Sequence, residues 1–363
     1  MNNVLIIGVG GTGSDAVDML YKRIQTLKGE KNFRIKAVVF DTDDGDMAKI
    51  GEATTVSMSQ NGTVGTVCDK LGVANVEEWF PFDDPAIRAL PMNKGAGQWR
   101  KKSFLAFMAA MEQPERSLTF HRVMDSLFDS TDKDATYQIY TVASLAGGTG
   151  SGSFIPITLY AKRYMLETMH ASSVQTAAVL ACPGIYADQQ TTEENRSKVY
   201  ANAYAILREL NAMNLVANGY NNSDADIHHA PIKFKLGAEG TQVGVLFDSS
   251  DEKYWEATKA TPFNNVFLFD KILGCESIKK HNEVLADSLF TVLCTSIGVA
   301  IDSEMDNHIL LRALAQNTAI YASLGTSRLE YPKDTLLDYL AHKKALDAAD
   351  GDWMTLYHKV EDY

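Results

Sequence analysis

The sequence predicts an α/β protein built on a doubly wound parallel sheet. Three observations carry that prediction. Short all-apolar runs alternate with stretches of helical periodicity along most of the chain. Glycine-rich turns recur where a chain segment passes into a helix, and three of them are expected to converge on one sheet edge. Apolar content of 45% and charged content of 22% suit a globular protein, and 363 residues suggest about two domains.

Taken in order, residues 4–7 (Val-Leu-Ile-Ile) form the first buried strand. Gly8-Val9-Gly10-Gly11-Thr12-Gly13-Ser14 follows, then a helix with Val17, Leu20, Tyr21, Ile24 and Leu27 on one face, stopping near Gly29. Alone, this G-x-G-x-x-G-like loop is shared by dinucleotide-binding enzymes and others. Residues 35–40 form a second apolar strand ending in Asp41-Thr42-Asp43-Asp44. Acids at the carboxyl end of a parallel strand face the ligand crevice. They suit a ribose hydroxyl in a nicotinamide site, or the neighbourhood of Mg²⁺ in a nucleotide-triphosphate site; Asp44 and Asp46 read as a solvated turn. Residues 52–91 are poorly periodic. Asn93-Lys94-Gly95-Ala96-Gly97-Gln98-Trp99-Arg100 is a further glycine loop, leading into a helix through Phe104, Leu105, Met108 and Met111. Lys94, Arg100, Lys101 and Lys102 make it the most basic of the glycine loops. A helix over 116–128 follows.

Residues 137–143 form a strand, and 154–169 a helix. Between them lies Ala146-Gly147-Gly148-Thr149-Gly150-Ser151-Gly152. This glycine density lets backbone N–H groups approach a bulky anion, and Thr149 and Ser151 add hydroxyl donors. A Cβ at Gly148 or Gly150 is expected to obstruct phosphate. Strand 174–181, helix 196–213, strand 266–269 and a long helix over 276–300 continue the pattern. Residues 215–262 read as an insertion with a β-hairpin, strands 231–236 and 242–247. The acidic stretch Asp302-Ser303-Glu304-Met305-Asp306-Asn307 follows. Residues 320–330 read as a strand broken by Gly325, 333–349 as a helix, and 353–360 as a short last segment. His228 and His229 lack a third ligand at useful spacing.

Net charge of −12 disfavours a sequence-independent hold on nucleic acid or an anionic membrane. Cys68, Cys182, Cys275 and Cys294 show no C-x-x-C spacing, which fits a reducing cytoplasm and no zinc or disulfide framework. No signal peptide opens the chain and no apolar run reaches membrane-spanning length, so a cytoplasmic protein without membrane insertion is expected. No G-x-x-x-x-G-K-[ST] occurs, so phosphate would rest on backbone amides and hydroxyls, with a divalent cation offsetting charge.

The motifs together resemble the tubulin and FtsZ superfamily of polymerising GTPases. Ala146 to Gly152 looks like that family's G-G-G-T-G-[ST]-G, with Ala146 for the first glycine, and Gly8 to Val17 like the first phosphate loop of FtsZ, with Asp15 where Asn is usual. Asp41-Thr42-Asp43 resembles N-T-D, and Gly95-Ala96-Gly97 the γ-phosphate-sensing G-A-G. Glu193 and Arg196 match the spaced Glu and Arg on the ribose side. Phe269-Asp270-Lys271 resembles N-D-K, with Phe269 for the guanine-contacting Asn. The likeness covers residues 1 to about 307. It is nearest to the bacterial tubulin-like group, through the stretch from Asn202 to Leu210 and the G-x-S-x-x-x-Y-P from Gly325 to Pro332.

The resemblance implies a Rossmann-like GTP-binding domain over 1–275, a core helix and synergy-like loop over 276–307, and a partial or reduced C-terminal domain over 308–363. GTP or GDP with Mg²⁺ would lie on Gly10, Gly11, Thr12, Gly13, Asp15 and Asp43. It would also meet Gly95, Ala96 and Gly97, and Gly147 to Gly152 including Gly148, Thr149, Gly150 and Ser151. Glu193, Arg196 and Asn282 complete the set, Asn282 standing in as base reader with Asp287 as rival. The family's synergy motif, N-x-D-x-x-[DE], is not reproduced. Its nearest counterparts, Glu304, Asp302 and Asp306, would complete hydrolysis on the next subunit of a head-to-tail homopolymer. Three other classes compete. An adenylating enzyme of the ubiquitin-activating type shares the first loop and the acid-rich strand end, but has neither a second G-G-T-G-S-G nor this chain's lack of a paired-cysteine zinc site. A scaffold would bind nucleotide without turnover. A nicotinamide dehydrogenase would need only one such loop.

Overall fold

A computed structural model describes residues 2–27, 33–72, 76, 80–81, 83–128, 136–217, 262–272, 274–295, 297–298, 320–325 and 333–349. The expected hairpin, His228 and His229, the acidic stretch 302–307 and the segment 353–360 lie outside the described residues. The chain divides into two compact units, Met1–Gly325 and Thr326–Tyr363. In the second, the described element is a helix over Lys333–Asp347, within the predicted 333–349.

The first unit is organised on seven described strands: β1 (Asn2–Val9), β2 (Phe33–Asp41), β3 (Thr54–Ser57), β4 (Thr136–Ser144), β5 (Val174–Ala181), β6 (Asn265–Phe269) and β7 (Tyr321–Ser323). They pair in the order β3-β2-β1-β4-β5-β6-β7, and each neighbouring pair is parallel. β1 and β2 are nearly continuous apolar runs because both faces of a parallel sheet are covered by helices. The period of two is still visible. Leu5, Ile7, Val9, Val38 and Phe40 pack into one core layer, while Val4, Ile6, Ala37 and Val39 pack into the other.

Helices cover both faces. α1 (Gly10–Gln25) follows β1, and its Val17, Leu20 and Ile24 join the second layer. Short helices α2 (Asp44–Met47), α3 (Val64–Leu71) and α4 (Pro85–Arg88) begin on side-chain caps from Asp43, Thr63 and Asp84. α5 (Arg100–Met111), α6 (Pro114–Asp125) and α7 (Gly148–Glu167) build the first layer, where Phe40 meets the edges of Phe107 and Phe120 at 6.3 and 4.8 Å between centroids. α8 (Gly184–Ala187) and α9 (Glu193–Ala217) follow β5, and α10 (Ile278–Cys294) packs on α1.

Four features differ from the periodicity-based expectation. β3 and α3 occupy the stretch whose pattern was poorly periodic, because four- to eight-residue elements are too short to show a period. α7 starts at Gly148, six residues before the expected 154: three glycines that discourage helix locally are accommodated because neighbouring backbone needs their space. α10 has 17 residues and ends at Cys294, with Thr295 extended, rather than running from 276 to 300. β7 is three residues long and stops at Ser323, before Gly325.

The helix–sheet spacing rests on missing side chains. A Cβ at Gly13 would stand 2.2 Å from the carbonyl oxygen of Val142 in β4, a separation no folded backbone tolerates. Gly13→Ala must therefore lift α1 from the sheet. We expect it to lower the free energy of unfolding by roughly 3 kcal/mol or more in a urea titration; a loss below about 0.5 kcal/mol would show that α1 sits farther from β4.

Candidate functional site

Strand order reverses at β1. The chain moves outward through β2 and β3, then crosses to β4 on the other side. Such a switch point leaves a crevice at the carboxyl ends of the strands. Register brings β1, β2 and β4 to an end together: Val9 pairs with Phe40 on one side and Ala143 on the other. A cleft of about 350 Å³ lies there, in the size range of small-ligand sites.

Three glycine loops border this cleft, as the sequence pattern predicts. Gly10, Gly11 and Thr12 come from the first; Lys94, Gly95, Gly97 and Gln98 from the second; Gly147, Gly148, Thr149 and Gly150 from the third. The first and third are helix starts. Neither α1 nor α7 has a side-chain cap on its first turn; α5, α6 and α8 lack one too, but of these only α1 and α7 place their first residue, Gly10 and Gly148, on the cleft. Their first N–H groups are thus left for a ligand. The two ends also abut. Gly10 has φ +75°, and a Cβ there would lie 2.9 Å from the Gly150 nitrogen. Two positive helix ends in contact repel unless an anion lies between them.

The glycines divide into two kinds. A Cβ at Gly148 would fall within 2.6–2.8 Å of Gln98 and Trp99 backbone, one at Gly150 2.7 Å from the Ser144 carbonyl oxygen, and one at Gly152 2.2 Å from that of Arg100. These positions are needed for protein to pack on protein, so a Cβ at Gly148 or Gly150, which also border the cleft, would disturb the fold itself. Gly147 and Gly97, by contrast, border the cleft with no atom within 4 Å of where a Cβ would stand. Gly13, Ala96, Ser151 and Gly152 do not border the cleft; Ala96 and Ser151 are buried, and Ser151 Oγ donates to the Gly147 carbonyl. Hydroxyls at the rim are tied in pairs, Thr42 with Thr149 and Thr12 with Tyr186, each at 2.7 Å.

The acidic side comes from the end of β2. Asp43 borders the cleft while capping α2, accepting from Gly45 N at 2.8 Å and Asp46 N at 3.3 Å. Asp41 lies deeper and is 3% exposed. Its Oδ1 accepts from Thr42 N at 2.6 Å and Asp43 N at 3.1 Å, and its Oδ2 is buried without a partner. Burial pushes its carboxyl up to about 6, against those two hydrogen bonds. Asp15 stands outside the cleft; partial desolvation, then the Asp46 carboxylate, raises its pKa, and the Asn282 amide opposes this. Among the described residues no three His, Cys, Asp or Glu side chains gather closely enough to hold a metal.

The remaining expected residues have other duties. Arg100 does not border the cleft. Its Nη1 donates to Glu209 Oε1 at 2.8 Å, its Nη2 to Oε2, and its Nε to the Ser151 carbonyl at 3.3 Å. Lys102 is buried and its Nζ donates to the Gly95 carbonyl at 2.6 Å, so Lys94 is the cationic side chain of that loop at the cleft. Glu193 and Arg196 pair with each other at 3.2 Å on the first turn of α9, and Arg196 Nε reaches the Ala187 carbonyl; neither borders the cleft. Asn282 is buried beside Asp15 and does not border the cleft. Asp287 is held by Arg23, and Phe269 is a core residue. Asp302, Glu304 and Asp306 lie outside the described residues. Sequence reasoning passed over Tyr186 and Gln190 at the cleft, and Asn202 beside it. Only the Asn202 stretch carried a signal, as part of the likeness.

Fold and cleft together define a parallel α/β protein with a cleft bordered by two helix starts. The chain belongs to the tubulin-like family, whose model matches residues 5–350. Among solved structures it is similar to CetZ2 from Haloferax volcanii, a GTPγS-bound protofilament, at 17% identity and TM-score 0.43, covering 83% of this chain and 62% of that one. It is also similar to TubZ of Clostridium botulinum phage c-st (16%, TM-score 0.40, 82% and 61%) and to a GTPγS-form protofilament of TubZ from Bacillus thuringiensis serovar israelensis (13%, TM-score 0.34, 80% and 56%). The chain spans under two thirds of the length of these three. No curated protein matches it. No helix among the described residues is long and apolar enough to cross a membrane.

Asp41 makes a pH dependence testable. An acid whose folded pKa is raised holds its proton more tightly in the folded state. Its cost is absent below the ordinary value of 3.8, grows as pH rises towards about 6, and is full above that. Asp41→Asn should stabilise the ligand-free protein at pH 7.5 by roughly 1–3 kcal/mol in urea unfolding and give no gain near pH 4. An equal effect at both values would show that the carboxyl is not desolvated.

Proposed function

We propose that this chain binds GTP and GDP through the three glycine loops, and that it self-associates head to tail and hydrolyses GTP between subunits. The observation carrying the reading is the pair of uncapped, abutting helix starts at the switch point, in a chain of the tubulin-like family. Backbone amides of α1 and α7 would take the phosphate oxygens, and Lys94 would add a point charge beside Gly95 and Gly97. Magnesium suits this donor set as an ion held mainly by phosphate oxygens and water, because the described carboxylates form no cage. When bound it would neutralise phosphate charge. The ribose would extend towards Tyr186 and Gln190, with Asn282, buried beside Asp15 and outside the cleft lining, as the candidate reader of the base.

The catalytic assignment follows from chain direction. α10 starts after β6, on the side of the sheet that holds the cleft, and its 17 residues run about 25 Å away from it. Residues 302–306 come after that far end in sequence. A neighbour's Glu304, with Asp302 and Asp306, would therefore face this subunit's nucleotide in a stack and orient the attacking water. Attack on the γ-phosphorus breaks its bond to the bridging oxygen and releases GDP and phosphate. Such a heterologous contact repeats into a filament.

The glycine geometry separates binding from folding. Gly147→Val should leave the urea midpoint nearly unchanged and lower GTP affinity by tenfold or more, whereas Gly148→Ala should destabilise the fold itself. Unaltered GTP affinity in a folded Gly147→Val protein would move the phosphates elsewhere, and ATP–pyrophosphate exchange by wild type would favour adenylation instead.

For hydrolysis, phosphate release per subunit should rise with protein concentration. Glu304→Ala should abolish it while GTP binding persists. Specific activity that is flat from dilute to concentrated protein contradicts a shared site; binding without any turnover points to a scaffold.

A further inference from the structure

We infer that one face of α9, carrying Asn202 and Glu209, is a clasp that positions the 95–100 loop against the central glycine loop and thereby sets how strongly the cleft distinguishes a terminal phosphate. This rests on the nucleotide-binding reading above. The two residues are seven apart, two helical turns, so they share a face of α9.

Asn202 does not itself border the cleft. Its Nδ2 donates to the Gln98 carbonyl at 3.0 Å and to the Ala146 carbonyl at 3.1 Å. A carboxamide nitrogen has two hydrogens, and here one goes to each loop. Both carbonyls are thereby turned towards α9, where they cannot present oxygen to a phosphate. Glu209 repeats the arrangement one step along. It holds Arg100 in a two-point pair, with side chains 16% and 27% exposed, and Arg100 passes the link to the Ser151 carbonyl through Nε.

The held loop needs such support. Gly95, Gly97 and Gln98 have φ of +62°, +58° and +60°, and Gln98 is not a glycine. A left-handed non-glycine residue persists where its surroundings over-determine it. Lys102 anchors the loop's start through the Gly95 carbonyl, and the space left by Gly148 receives its end at Gln98 and Trp99. Release of the α9 side would let residues 95–98 shift by the few tenths of an ångström that matter for a contact to phosphate. Asn202 and Glu209 are thus positioning residues, acting through Gln98, Ala146 and Arg100.

The test uses the full chain with Asn202→Ala, Asn202→Asp and Glu209→Gln. Asp at 202 has no donor and faces two carbonyls. In the ligand-free state, amides of residues 95–99 should exchange with deuterium about tenfold faster in each variant, with β1 and β4 protected as in wild type. Affinity for GTPγS should fall roughly tenfold, as expected for losing one or two hydrogen bonds, and affinity for GDP by less than about threefold. The double exchange Arg100→Glu with Glu209→Arg should recover part of the GTPγS affinity lost in Glu209→Gln. Unchanged exchange at 95–99, or GTPγS and GDP affinities falling in parallel, overturns the clasp. Should Asn202→Asp fail to fold, Asn202→Ala and Glu209→Gln decide. A wild-type protein that binds neither nucleotide overturns the GTP reading instead, and the exchange result then judges the clasp alone.

Discussion

The contact on which the rest depends is the meeting of two helix starts at the ends of β1 and β4. Gly10 and Gly150 bring α1 and α7 together where each leaves unpaired N–H groups and the positive end of its dipole. Such an arrangement is unfavourable in an empty protein and favourable around an anion. Neither helix start carries a side-chain cap, so its first N–H groups stay open on the cleft side.

Keeping those two ends together requires close backbone approach throughout the neighbourhood. Gly8, Gly13, Gly148, Gly150 and Gly152 each leave room for a carbonyl or amide of another segment, so the glycine motifs are largely a packing device. A smaller group, Gly147 and Gly97 among them, borders the cleft with open space where a Cβ would stand. Electrostatics follow the same division. The chain has a net charge of −12, yet the cleft combines helix ends and Lys94 with a buried, partly unsatisfied Asp41. Local donors, not the overall field, decide what binds there.

Basic residues near the second loop show how chemistry and position separate. Arg100 and Lys102 look in sequence like phosphate contacts, but one holds α9 and the other holds Gly95. Their charges are spent on the shape of the loop. Lys94 is left at the cleft. In the same way, Glu193 and Arg196 are drawn to each other by their spacing of three on a helix, and Asp287 is taken by Arg23.

By itself the sequence determined the layered architecture. Uninterrupted apolar strands, helical periodicity in Val17, Leu20 and Ile24, and glycines at strand ends are local signals, and local signals follow from steric preference and burial period. The three loops that border the cleft were legible for that reason. What tertiary structure decided is which atoms face the cleft. The start of α7 at Gly148, the role of Arg100, the depth of Asp41 and the bridge from Asn202 all depend on segments distant in sequence arriving within a few ångströms of one another. No period or motif encodes that arrival, because a side chain's partner is chosen by the packing of the sheet and its helices and not by its neighbours along the chain.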